Sequence, residues 1–258
     1  MADPKLSRRE RLRAETAQEI KTIALKHMAE NGTAAVSLRA IARDMGMTAG
    51  AIYSYYDTRD KLITALIADV YHGLADILEQ ALAAASDDPA RRVFEYAQAY
   101  RRWAVANPQE FRLIYGDPVP DYQAPEGGAV ADAEHRACVM LTGLVSRAWP
   151  WAAHLHADDR HAWGDYNPAF AGLVRDAYPE LPPAAVALSL RVWGRLHGLV
   201  ALEVHGHLGP QIRDSEKLYR SEIVDLIHNL GLALPPELAD AESAVPALRV
   251  GASSGRRS

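Results

Sequence analysis

The chain has 258 residues, 49% of them hydrophobic and 24% charged, the balance of a globular protein with one large domain or two ordinary ones. No uninterrupted apolar run nears the ~18 residues that cross a bilayer. The opening MADPKLSRRERLRAE carries charge without an apolar core, so neither a span nor a secretory signal is expected.

Net charge is −5, unevenly spread: residues 1–60 hold ten Lys/Arg against eight Asp/Glu, the remainder 18 against 25. Bases gather at Lys5, Arg8, Arg9, Arg11 and Arg13, a basic arm over 1–12 able to approach phosphates or simply to be solvated. The single Cys138 excludes an intrachain disulfide and fits a reducing cytoplasm. Within RACVML it reads as a small buried apolar residue.

Strand signals are nearly absent, and helical periodicity predicts an all-α fold. A first helix is expected over 8–30, with Ile20, Ile23, Ala24 and Met28 on one face and Asn31-Gly32 as its stop. In VSLRAIARDMG, Ser37 is placed as an N-cap, Leu38, Ile41, Ala42 and Met45 form a stripe, and Gly46 ends the helix. Thr48 caps a short helix, AGAIYSYY. A long helix starts at Asp57 or Thr58, with Leu62, Leu66, Val70, Leu74 and Leu78 among its apolar face. Asp88-Pro89 and Asn107-Pro108 open two more helices. Residues 117–130 form a Pro/Gly-rich loop, a helix covers 132–147, and an irregular Trp/His-rich segment runs to Pro168. The segment from Leu181 to Gly209 is apolar on nearly every side, as in a central or interface helix, and Gly194 and Gly198 within it suggest close backbone approach. A last amphipathic helix aligns Tyr219, Ile223, Leu226 and Ile227, and 233–258 reads as a flexible tail.

Two short helices joined by a glycine turn have the spacing of a helix-turn-helix. Ile41, Ala42, Met45 and Ile52 pack inward, leaving Thr48, Ala49, Gly50, Ala51, Tyr53, Ser54 and Tyr55 outward. Small residues let a helix end enter a major groove, and hydroxyls donate to phosphate oxygens or meet base edges. Spacing alone fits a helical hairpin with surface tyrosines equally well.

The run SLRAIARDMGMTAGAIYSYYDTRDKL, within residues 13–73, resembles the DNA-binding domain of the tetracycline-repressor (TetR) family without gaps. Tyr56 stands where that family usually has phenylalanine, and Arg59 where it has lysine. The resemblance implies a helix-turn-helix domain over 13–57, with backbone contacts from Ser37, Thr48, Tyr53 and Tyr55 and close approach at Gly50 and Ala51. Arg59 and Lys61 add phosphate contacts. ANPQEFRLIYGDP and RVWGRLHGLVALEVHG resemble a C-terminal domain type of the same family marked by Trp-x-x-x-His-Gly, here Trp193, His197 and Gly198.

The resemblance implies a helical ligand-binding and dimerisation domain over 58–232. In it Tyr100, Trp103, Tyr115, Trp149, Trp163 and Tyr166 are candidates to line a pocket, with plain core packing as the alternative for each. Trp193, His197, Gly198, Tyr219, Ile223 and Ile227 are expected at a dimer interface formed by helices near 184–207 and 214–230. The histidines show no ligand spacing for a metal, and no nucleotide loop, nucleophile elbow or zinc-protease motif appears. No cofactor, metal or catalysis is therefore expected. The reading is a homodimeric, ligand-released repressor on a palindromic double-stranded DNA operator. An activator of the same fold, or a helical sensing dimer without DNA binding, are the alternatives.

Overall fold

The computed structural model describes residues 7–125 and 127–238. Among these are ten α-helices and three 3-10 turns, and no strand. The first six residues of the basic arm and the part of the tail beyond residue 238 lie outside the described residues.

Helix α1 (Arg8–Asn31) is opened by a reciprocal capping box in which Ser7 and Glu10 satisfy each other's backbone N–H groups. Arg8, Arg9 and Arg11 of the basic arm are exposed on this helix, which starts where the 8–30 expectation puts it. The buried stripe Ile20, Ala24 and Met28 lies over α2 (Leu38–Asp44) and α3 (Ala49–Tyr53), whose inward residues Leu38, Ile41, Ala42 and Ile52 complete a small core. Met45 and Met47 pack half-buried at its edge. An ion pair from Lys21 to Asp69, and a hydrogen bond of 2.7 Å between His27 Nε2 and Asp44 Oδ2, tie α1 to its neighbours.

Helix α4 (Arg59–Ala84) starts where the sequence indicates, with the Thr58 hydroxyl accepting from the Lys61 N–H. Its apolar face packs against α5 (Pro89–Ala106) and α7 (Gly128–Ala152). Helix α6 (Pro108–Tyr115) sits between these and α1. The expected Asp88 cap is present, accepting from Arg91 N–H at 2.7 Å.

Helix α7 is longer at both ends than expected. It begins at Gly128, directly after Gly127, both at positive φ, and continues through Pro150 to Ala152. The Trp/His segment is two 3-10 turns followed by α8 (Pro168–Ala177). Together with the start of α9 (Pro183–Val204), α8 encloses a second, smaller core around Val174, Leu181, Ala185 and Val186.

By length and composition α9 would pass for a membrane span. It is instead interrupted by Arg191, Arg195 and Glu203, and it packs against α5, α7 and α10 (Ser215–Asn229). Arg101 of α5 grips Glu203 through two hydrogen bonds of 2.8 and 2.7 Å. The tail assignment is corrected at its start, where Leu234 packs on the core and Leu238 is buried.

Candidate nucleic-acid interface and internal cavity

The turn between α2 and α3 depends on Gly46, whose φ of 65° is left-handed and strained for a side chain with a Cβ. It lets Met47 N–H reach back to Ala42 O at 2.8 Å. Thr48 then caps α3, its hydroxyl accepting from Ala51 N–H at 3.2 Å. Ser37 has extended backbone but no side-chain cap bond, so its exposed hydroxyl is not spent on the helix.

With Ile52 wholly buried, α3 presents Thr48, Ala49, Gly50, Tyr53 and Ser54 to solvent and half-buries Ala51. A Cβ placed on Gly50 would meet nothing within 4 Å. Packing within the chain therefore does not require glycine there.

Three of the expected contact residues have other work. Arg13 donates to Ser54 O at 2.6 Å and lies 4.7 Å over the Tyr55 ring, which fixes the end of α3 to α1. The Ser54 hydroxyl donates to Ala51 O at 2.7 Å. Arg59 is turned inward, its Nε donating to Val36 O at 3.2 Å and its Nη1 to Pro120 O at 3.3 Å. A guanidinium held by two carbonyls bridges the helix-turn-helix to the loop after α6 and is not displayed as a free phosphate ligand. Lys61 is exposed and, among the described residues, paired only with Asp57, just ahead of the α4 cap. Arg39 and Arg43 of α2 are exposed as well, a placement that no motif in the sequence signals.

Between α4, α5, α7 and α9 lies a cavity of about 250 Å³. Tyr100 and Tyr115 line it as expected; the other four aromatic candidates do not. Trp103 is buried in the main core beside Phe111, while Trp149, Trp163 and Tyr166 pack around the second core. Tyr71, Tyr96, Phe170 and Trp193 complete the aromatic wall, and Glu134, Cys138, Thr142 and Ser189 supply its polar points. Burial pushes the Tyr71, Tyr96, Tyr100 and Tyr115 hydroxyls upward, so all four remain neutral phenols. Burial likewise raises the Cys138 thiol.

The dimer assignments need correction. Tyr219, Ile223 and Ile227 are at most 1% exposed within a single chain. They fill the groove against α5, with the Tyr219 hydroxyl donating to Ala97 O at 3.2 Å, and have no surface left for a partner. His197 is likewise engaged internally, its Nδ1 2.8 Å from the Tyr100 hydroxyl and its ring stacked on Phe111 at 5.4 Å. Burial, then the nearby His205, holds its pKa below the ordinary 6.5. The outward side of α9 carries Leu190, Trp193 and Leu202, each more than 40% exposed, and added Cβ atoms at Gly194 and Gly198 would meet open space.

Residues 22–66, which hold this helix-turn-helix, match the family of bacterial regulatory proteins designated tetR, and residues 93–226 match the tetracyclin repressor-like C-terminal domain. The chain belongs to the tetracycline-repressor family. Over 122 residues it is 38% identical to the HTH-type transcriptional regulators Rv1816 of Mycobacterium tuberculosis H37Rv and Mb1846 of Mycobacterium bovis. That match covers 47% of this chain and 52% of each relative, so the chain spans about half the length of the curated relatives it matches. Among solved structures, the regulatory protein SCO4313 is 33% identical with a TM-score of 0.69, covering 86% of this chain and 100% of that one. A tetR-family regulatory protein from Rhodococcus RHA1 shares the fold at 17% identity and a TM-score of 0.59, over 85% of this chain and 99% of the other. Both halves of the tetracycline-repressor architecture are thus accounted for, and α4 joins them.

Proposed function

We propose that the chain is a cytoplasmic, ligand-responsive transcriptional regulator. As a homodimer it represses from a palindromic operator and is released when a small molecule enters the cavity. One observation carries the reading: α4 begins at the helix-turn-helix, and its middle turns supply Tyr71, Leu74 and Leu78 to the cavity wall. A single rigid element thus runs from the reading head to the pocket.

The second link is the segment after α6. Tyr115, the last residue of α6, lines the cavity; a few residues on, Pro120 O accepts from Arg59 and the Tyr122 hydroxyl lies 3.0 Å from Thr64 Oγ1. A ligand that displaces Tyr115 would shift both anchors of α4 and, in a dimer, the spacing of two α3 helices set one DNA turn apart, about 34–36 Å. A differential of about 1–3 kcal/mol between the two arrangements changes operator affinity roughly 5–150-fold.

Selection of bound fragments from random DNA, followed by a salt titration on the winner, tests the reading. A palindrome and a linear loss of log affinity with log salt are expected. A flat salt response, or recovery of no fragment, would overturn it.

A further inference from the structure

We propose that the cavity takes a small apolar molecule bearing one positive charge, an aromatic or alkyl ammonium, with Glu134 as its counter-ion and the tyrosine rings as its cage. This rests on the preceding reading only in treating the cavity as the regulatory site; the binding itself needs no DNA.

The wall has no lysine, arginine or histidine, and Glu134 is its one carboxylic acid. Among the described residues Glu134 is in no ion pair, and the cation two places along its own helix, Arg136, is committed to Glu79 and Asp76 at 2.5 and 2.7 Å. His197 of α9 does not line the wall; it is hydrogen-bonded to the Tyr100 hydroxyl, and burial lowers its pKa. An anionic ligand would therefore enter an apolar space with nothing to pair its charge, which is costly. A cation finds the reverse.

The rings are arranged to receive it. Tyr115 stands edge-on to Tyr71 at 6.1 Å and 87°, and to Tyr100 at 6.4 Å and 72°. An ammonium over an aromatic face is attracted by the ring quadrupole, best of all by that of Trp, and Trp193 is the most exposed ring of the wall. Exposed Glu134 and Trp193 stand at the solvent end of the lining, while Tyr96 and Tyr100 are buried. The charged head is thus placed at the mouth and the apolar body inside.

The test is calorimetric titration of the full chain with three matched probes: benzyltrimethylammonium, its carbon isostere neopentylbenzene, and 3-phenylpropionate. The cation should bind at least about tenfold more tightly than either of the others. Glu134→Gln should erase that preference with its thermal midpoint unchanged, because the side chain is exposed. Trp193→Leu should weaken the cation more than the isostere, a split that a purely structural role would not produce. Equal binding of the isostere, tighter binding of the carboxylate, a preference that survives Glu134→Gln, or no heat with any probe would each overturn the assignment. Operator release is scored separately: a chain that prefers the cation yet binds no DNA keeps this site and loses the regulatory reading, and one that binds DNA without a cation preference does the opposite.

Discussion

Gly50 separates what the fold needs from what a duplex would need. Its position in α3 has ordinary helical φ and empty space where a Cβ would go, so Gly50→Ala should leave thermal stability unchanged or raise it, by up to about 1 kcal/mol. On a groove-facing helix the added methyl sits against bases, so the same variant should change sequence preference in a binding-site selection. An unchanged preference would remove Gly50 from the contact surface. A second single-residue effect is internal. His197 binds its proton less readily folded than unfolded, because burial and His205 hold its pKa below the ordinary 6.5. The unfolded chain then takes up the proton first as pH falls. Stability should be level above about pH 7, decline as pH drops through 6.5, and level off again below the folded pKa. In His197→Gln, which keeps a polar partner for Tyr100, urea midpoints should fall less between pH 7 and pH 5 than in the parent.

At the scale of elements, start signals were legible where the chemistry is local. Thr48, Thr58 and Asp88 each accept from the N–H three residues on, as their positions ahead of apolar-periodic runs imply. Gly127-Gly128 reads as loop because glycine is a poor helix former, yet Gly127 is the N-cap and Gly128 the first residue of α7, which packs along α4 and α5. Tyr219, Ile223 and Ile227 show the other limit. Their spacing declares a buried face, but periodicity does not say whether the covering helix belongs to the same chain. The cavity was half legible for a related reason: Tyr71, Tyr96, Tyr115 and Trp193 come from four helices far apart in sequence, and only tertiary packing brings them together. Arg59 is the element-level case with a consequence. A residue placed by resemblance at a phosphate instead links Val36 O and Pro120 O. Arg59→Ala should leave the salt slope of operator binding unchanged while shrinking ligand-induced release, whereas Lys61→Ala should lower the slope by about one. Fluorescence anisotropy across a salt series, with and without ligand, distinguishes them. A slope change for Arg59→Ala would restore it to the phosphate set.

For the whole molecule, the question is what covers the outer side of α9. Leu190, Trp193 and Leu202 leave an apolar strip there, with Gly194 and Gly198 between them offering close approach for a second backbone, while Leu188, Val192, Leu196, Val200 and Val204 of α9 and the inward face of α10 are consumed by the chain's own core. Two residues of the strip, Leu190 and Trp193, also line the cavity, so a twofold partner on α9 would lie against the mouth through which a ligand enters. One α3 reads only a few bases; two related by a twofold axis read a palindrome, and their spacing is set by whatever joins the subunits. Leu202→Glu places a like charge on both copies within that contact without touching either core, since the side chain is already 42% exposed. Sedimentation at micromolar concentration should show the parent as a dimer and the variant as a monomer with unchanged helical content. Affinity for the full palindrome should fall at least about a hundredfold, and affinity for an isolated half-site should stay the same. A variant that remains dimeric moves the subunit contact off α9, and one that turns monomeric yet keeps full palindrome affinity breaks the tie between pairing and reading.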